Sequence, residues 1–191
     1  MKEIEYRNIL KESDRLVIRV TKEEDFQVIV SGLNGQGRQI NKFDDEEISL
    51  ASKYTKDFCK TNIRNLINYA NDDKAYMFRV FKKENNTYVG GVIIKTILRG
   101  NFQWAEIGYW LLNQHWGQGY GCEVIKAGID IAFNELGFHR LEAHINLDNI
   151  ASQKVAEKAG MKLECIREKF IYEDDKWTDN MVYVINNRKL N

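Results

Sequence analysis

The stretch from Trp104 to Leu136 constrains the fold more than any other part of the chain. It opens with WAEIGYWLL, passes through NQHWGQGYG and continues as CEVIKAGIDIAF. The first run is rich in aromatic and β-branched residues and reads as a strand. In the third, Cys122, Ile125, Ile129, Ala132, Phe133 and Leu136 recur at helical spacing, and Gly137 stops the helix. Between them Gly117, Gly119 and Gly121 occupy every second position. Glycines open backbone conformations closed to other residues, and successive N–H groups in such a loop can converge on a phosphate. The helix that follows adds partial positive charge. A tight strand-to-helix turn would use the same glycines, so the loop alone leaves both readings open. Two phosphate motifs are excluded. A Gly-x-Gly-x-x-Gly fingerprint from Gly117 needs glycine where Cys122 stands, and no Gly-Lys-Ser/Thr follows.

The remaining elements can be read around this unit. RLVIRV (Arg15 to Val20) alternates like a strand, and Thr21 with Glu24 forms a capping-box pattern that opens a helix. Asp44 to Ala70 reads as helical, with apolar Ile48, Ala51, Phe58, Ile63, Leu66 and Ile67. AYMFRVFKKENNTYVGGVIIKTIL reads as a hairpin turning at KKENN. RLEAHINL is another period-two strand, and NIASQKVAEKAG is a short helix with Asn149 near its start and Gly160 at its end. The last segment, to VYVI, is a hairpin turning near EDDK. Such a mixture is an α/β (α+β) domain built on one mostly antiparallel sheet.

At 191 residues the chain fits one domain over positions 1–191. Lys plus Arg and Asp plus Glu each number 28, and this balance disfavours a binder of nucleic acid. No apolar run is long enough to cross a bilayer, and the charged N-terminus lacks a secretory signal. Cys59, Cys122 and Cys165 are scattered, and with His115, His139 and His144 they make no recognised metal spacing. A cytoplasmic protein without a structural metal is expected, with no membrane or nucleic-acid partner.

The combination of AEIGYWLLNQHWGQGYGCE with NLDNIASQKVAEKAGM resembles the GNAT superfamily of acetyl-CoA-dependent N-acetyltransferases. SDRLVIRVTKEED and KWTDNMVYV are similar to its RimJ/RimL branch, which includes acetyltransferases of ribosomal-protein N-termini. The resemblance spans nearly the whole chain and is least distinctive from about Gly32 to Asp73. It implies the GNAT fold, a twisted sheet of about six to seven strands with helices on both faces. The loop pattern Gln/Arg-x-x-Gly-x-Gly/Ala is met by Trp116, Gly117, Gln118, Gly119, Tyr120 and Gly121, with Trp116 departing from Gln/Arg. These residues are implied to hold the pyrophosphate of acetyl-CoA. Trp110, Leu111 and Leu112 are implied to pair with its pantetheine arm, and Asn149 to contact it. Lys158 is a candidate for a CoA phosphate, although a last-turn lysine also suits the helix dipole.

Acetyl transfer needs the acceptor amine deprotonated, the carbonyl oxygen stabilised and the thiolate released. Glu106 lies on the strand before the loop, on one face with Gly108, Trp110 and Leu112. A carboxylate beside aromatic residues can accept an amine's proton, whereas a solvated strand residue is the plainer reading of Glu106. Many GNAT enzymes carry a tyrosine that protonates the thiolate, but Ala156 stands at that position. In the RimJ/RimL branch the serine at the Ser152 position is the candidate, and a packing or capping role is the alternative. Cys122, on the apolar helix stripe, is read as packing, so direct attack by the amine is expected.

Branch resemblance favours a protein or peptide α-amine as acceptor. Small-molecule amines, such as a polyamine, an antibiotic or an amino acid, remain the alternative, as does a CoA-binding sensor without activity. DDEE (Asp44 to Glu47) is read as acidic residues at a helix start rather than a lure for a cationic amine. A monomer or homodimer is compatible with all of this.

Overall fold

The computed structural model describes residues 5–40, 42–44, 54–173 and 175–188. The expected helix from Asp44 therefore lies partly outside the described residues, Ile48 and Ala51 included. What is described is α2, Lys56–Asn71, capped by Thr55, whose side chain accepts from the Phe58 N–H at 3.1 Å. Asp44 is the last described residue before position 54. It is buried, and its carboxylate accepts from Gln36, from the Ile40 N–H and from Asn113 (2.7 Å).

Before it come the strands β1 (Leu10–Glu12) and β2 (Leu16–Arg19) and the helix α1 (Phe26–Asn34). The expected Thr21 cap is absent, and the Thr21 hydroxyl has no partner. Asp25, the third residue of a short turn Glu23–Asp25, reaches back instead. Its carboxylate accepts the Lys22 N–H at 2.8 Å and the fork of Arg19 at 2.6 Å. These are charge-assisted bonds, and the guanidinium fork fixes the carboxylate's rotamer.

The hairpin of β3 (Ala75–Lys82) and β4 (Tyr88–Leu98) forms where expected, followed by β5 (Trp104–Leu111) and α3 (Tyr120–Asp130). The end of the predicted helix differs in kind. Ile131–Glu135 forms a π turn closed by the Leu136 N–H on the Ile131 carbonyl, and Gly137, at φ 72°, ends it. β6 (Arg140–Asn146), α4 (Ile150–Lys158), β7 (Lys162–Glu173) and β8 (Lys176–Asn186) complete the chain.

All the strands among the described residues share one sheet of eight, in the order β1-β2-β3-β4-β5-β6-β8-β7. Every neighbouring pair is antiparallel except β5 and β6. The count exceeds the expected six to seven because β1, only three residues long, still pairs with β2. Helices cover both faces. On one, Val124, Ile125 and Ile129 of α3 pack in a large cluster with Val92, Ile94, Ala105, Ile107, Leu141 and Ala143. On the other, Ile29 and Leu33 of α1 and Cys59 of α2 pack with Phe81, Tyr88 and Leu112. No helix among the described residues is long and apolar enough to cross a membrane.

Candidate functional site

The site begins where two strands part. β5 and β6 run parallel and pair only at Trp104 with Arg140, Ala105 with Leu141 and Glu106 with Glu142. Both strands then continue, β5 to Leu111 and β6 to Asn146, without pairing again. The edge of β5 from Ile107 onward therefore faces a wedge-shaped gap.

Which main-chain groups point into the gap follows from one bond. The Leu112 N–H donates to the Val89 carbonyl of β4 at 2.9 Å. Main-chain direction alternates along an antiparallel strand, so Trp110 is also turned towards β4, while Tyr109 and Leu111 are turned to the gap. Of the expected trio Trp110, Leu111 and Leu112, only Leu111 presents its main chain there. Its carbonyl accepts from the Trp116 indole Nε1 at 2.8 Å. Trp116 thus ties the loop to the strand, and its indole has no further N–H for a phosphate.

The loop itself has the conformations its glycines permit. Gly117 and Gly119 are left-handed, at φ 73° and 82°. Gly119 caps α3 without any side-chain bond, leaving the first-turn N–H groups of the helix open to an anion. Gly121 serves packing instead. A Cβ there would lie 3.3 Å from Val155, so its absence brings α3 close to α4. Gln118 and Tyr120 flank the turn. The Gln118 carbonyl accepts from Arg15 at 3.0 Å, and the Arg15 guanidinium lies 4.3 Å from the centre of the Tyr120 ring. Arg15 also bonds Glu123, which accepts from Ser13 as well. Burial works against the charged form of Glu123, but these donors outweigh it and hold its carboxyl below the usual range. Arg15 is a cation at the loop that the sequence pattern did not single out, although it stands within SDRLVIRV. Lys158 ends α4, exposed.

Across the gap, Asn149 caps α4, its side chain accepting the Ser152 N–H at 3.1 Å. The Ser152 hydroxyl lies 2.7 Å from the Tyr109 hydroxyl, which also donates to the Ser152 carbonyl at 2.9 Å. Tyr109 comes from β5, so a phenol does stand beside the serine even though Ala156 occupies the helical tyrosine position. Burial pushes the Tyr109 phenol up to about 12, with the Ser152 bond acting the other way. Cys122 is half-buried at the start of α3.

Glu106 points to the opposite face of β5, the side of α1 and α2. Its carboxylate is 3.2 Å from Lys95 of β4. Trp110 lies farther along the same face, its ring lying over Gly91, where a Cβ would come within 2.3 Å of it. Glu142, register partner of Glu106, is buried and holds two guanidinium groups and an imidazole. Arg140 bonds one oxygen at 2.8 Å, while Arg167 (3.0 Å) and the His144 Nε2 (3.1 Å) reach the other. Burial opposes its charge, but these partners prevail and lower its pKa. Glu142 and His144 are two residues apart on a strand and so share a face, a signal the period-two pattern of RLEAHINL did carry. His115, by contrast, is a buried packing residue whose ring Nε2 meets the Tyr88 carbonyl at 3.2 Å. Among the described residues no cluster of His, Cys, Asp and Glu could hold a metal.

The model of the acetyltransferase (GNAT) domain matches residues 15–162. The chain belongs to the GNAT acetyltransferase family. It is 37% identical over 115 residues to a probable N-acetyltransferase, YjcK, of Bacillus subtilis, an alignment covering 60% of this chain and 64% of that relative. In fold, this GNAT protein is similar to the ribosomal-protein-S5-alanine acetyltransferase of Vibrio fischeri (TM-score 0.76, 21% identity, 96% of this chain and 100% of that one). It is also similar to Mycobacterium smegmatis RimJ in complex with CoA-disulfide (TM-score 0.73, 19% identity, 92% and 83%). The expected family and its RimJ/RimL-like fold are therefore met by a sheet that splits at Glu106 and Glu142.

Proposed function

We propose that this GNAT protein, acting as one domain over its whole length, transfers an acetyl group from acetyl-CoA to a primary amine, specifically a protein or peptide N-terminal α-amine. One observation carries the reading: the unpaired edge of β5 leads, through the short turn Asn113–His115, into a loop with left-handed Gly117 and Gly119 and a helix start without a side-chain cap. An extended amide-bearing arm ending in phosphates matches that sequence of groups, since the free edge offers β-type hydrogen bonds and the loop offers N–H donors. The RimJ structure with CoA-disulfide supports the same donor, and the ribosomal-protein-S5-alanine acetyltransferase the same class of acceptor.

Acetyl-CoA would supply an activated acyl group as a thioester. The main chain of Tyr109 and Leu111 faces the arm, with an N–H there available to a developing oxyanion. The loop from Trp116 to Gly121 and the first turn of α3 take the pyrophosphate, with Arg15 adding charge and Lys158 reaching a peripheral phosphate. Asn149 orients the first turn of α4 so that Ser152, backed by Tyr109, can give a proton to the leaving sulfur. Glu106 lies on the acceptor side, held by Lys95.

A panel of amines tests this. Peptides beginning with Ala, Ser or Met should release CoA thiol fastest. Release only with polyamines or free amino acids moves the acceptor to small molecules. Tight acetyl-CoA binding with no release across the panel makes the protein a sensor.

A further inference from the structure

Resting on the acetyltransferase reading, we propose that His144, oriented by buried Glu142, is the group that takes the proton from the acceptor amine. Its place is decisive. Pairing of β5 with β6 stops at Glu106 and Glu142, and His144 is the next residue on that face of β6. Gly108 occupies the corresponding place on β5. It has no side chain, and a Cβ there would meet only Ile93. Gly108 therefore puts no side chain beside the imidazole, which is itself 8% exposed.

Glu106 is less suited. Its carboxylate already bonds the Lys95 ammonium. The His144 ring is held on three sides. Its Nε2 is 3.1 Å from the Glu142 carboxylate and 3.2 Å from Arg167, and Phe170 meets it edge-on at 5.0 Å. Its Nδ1 has no hydrogen-bond partner among the described residues. Glu142 only accepts and Arg167 only donates, so one Nε2 serves one of them; we assign an Nε2–H to the nearer partner, Glu142, which leaves the Nδ1 lone pair free. A buried carboxylate also stabilises the imidazolium that forms when the ring takes a proton.

The charged groups around the ring are Glu142 and Arg140 on β6, Arg167 and Glu164 on β7, and Glu106 on β5, while β8 presents Val182 and Asn180. Asn180 gives a second, independent sign of a ligand. It is 1% exposed, shares the His144 face, and its amide oxygen has no partner. An amine at His144 could give Asn180 another N–H.

The step balances without a further reagent. The amine gives its proton to Nδ1, its lone pair forms the C–N bond, and the C–S bond breaks with its electron pair on sulfur. The sulfur takes a proton from the Ser152 hydroxyl, and solvent finally receives the proton from His144 and restores the one from Ser152.

Two measurements test the assignment on the full chain. Nitrogen NMR of the protein, with His144→Gln assigning the resonance, should show neutral His144 protonated at Nε2 and bare at Nδ1. The opposite tautomer overturns the proposal, whatever acceptor proves right. With a turned-over amine, His144→Gln should lower kcat/KM about a hundredfold or more and remove the acidic limb of its pH profile, leaving acetyl-CoA affinity unchanged. Wild-type rates and profile in that variant overturn it, as does loss of the limb in Glu106→Gln alone. Failure of wild type to acetylate any amine would instead count against the underlying reading, and the tautomer would still decide the geometry.

Discussion

The two sides of the central gap are built on different principles. On the donor side the shape is set by main chain and by residues that lack side chains: the free edge of β5, left-handed Gly117 and Gly119, and Gly121 against Val155. On the acceptor side it is set by side-chain charges that meet from separate strands, with Glu142 joining Arg140, Arg167 and His144, and Lys95 joining Glu106. A backbone site tolerates many neighbouring sequences. A charge-built one is altered by single substitutions, and this suits the half of a transferase in which specificity must vary.

The contrast can be broken most severely at Glu142. Glu142→Ala leaves Arg167 without its carboxylate and Arg140 with Glu164 alone, and should cost about 3 kcal/mol in urea unfolding at pH 7, since breaking a buried ion pair is expensive. The folded-state carboxyl lies below its unfolded value, so this stability is present above the ordinary carboxylate range and fades as pH falls through the lowered pKa. Stability curves of wild type and Glu142→Ala should therefore converge in acid. Parallel curves would show that the pairing has no share in the cost.

Gly91→Ala should come next. The new methyl meets the Trp110 ring at 2.3 Å and the Phe78 carbonyl at 2.9 Å, so about 1–3 kcal/mol of overpacking is expected, with a lower Tm. Gly119→Val tests the donor side alone. A left-handed branched residue costs about 1–2 kcal/mol, expected as a tenfold or greater loss of CoA affinity by calorimetry with acceptor KM hardly moved. The smallest effect should be that of Arg15→Ala, about 0.5–1 kcal/mol, because its pair with Glu123 is half in solvent. A weaker CoA affinity there at low salt only would mark Arg15 as a charge at the loop rather than a ligand.

The same contrast governs what could be read in the sequence. Gly117 to Gly121 and the helix after them were legible because backbone demands leave glycine in fixed places. The strands were legible from period two, and β3, β4, β5 and β6 appear where alternation puts them. The Tyr109–Ser152 bond was not, since it joins residues 43 apart across a gap whose width depends on where pairing stops. The helix expected to start at Asp44 runs into residues outside the described ones, and no local pattern signals that Asn113, 69 residues away, donates to the buried Asp44 carboxylate. His144 lay in a correctly read strand, but its partner Arg167 comes from β7, and no local pattern announces that pairing. Local propensity finds elements, whereas a polar site depends on which distant side chains the register brings opposite one another.

The parting of β5 from β6 has a last consequence for the molecule as a whole. Beyond Glu106 each strand gives up ladder bonds on one side, so the sheet is folded with a rung-less slot. An extended ligand with amides along its length would act as the absent strand. The protein should then be a different material when loaded: at a ligand concentration a hundred times Kd, mass action adds about 2.7 kcal/mol to unfolding. Amide exchange should slow first at Tyr109 and Leu111, whose main chains would gain the partners that β6 withholds.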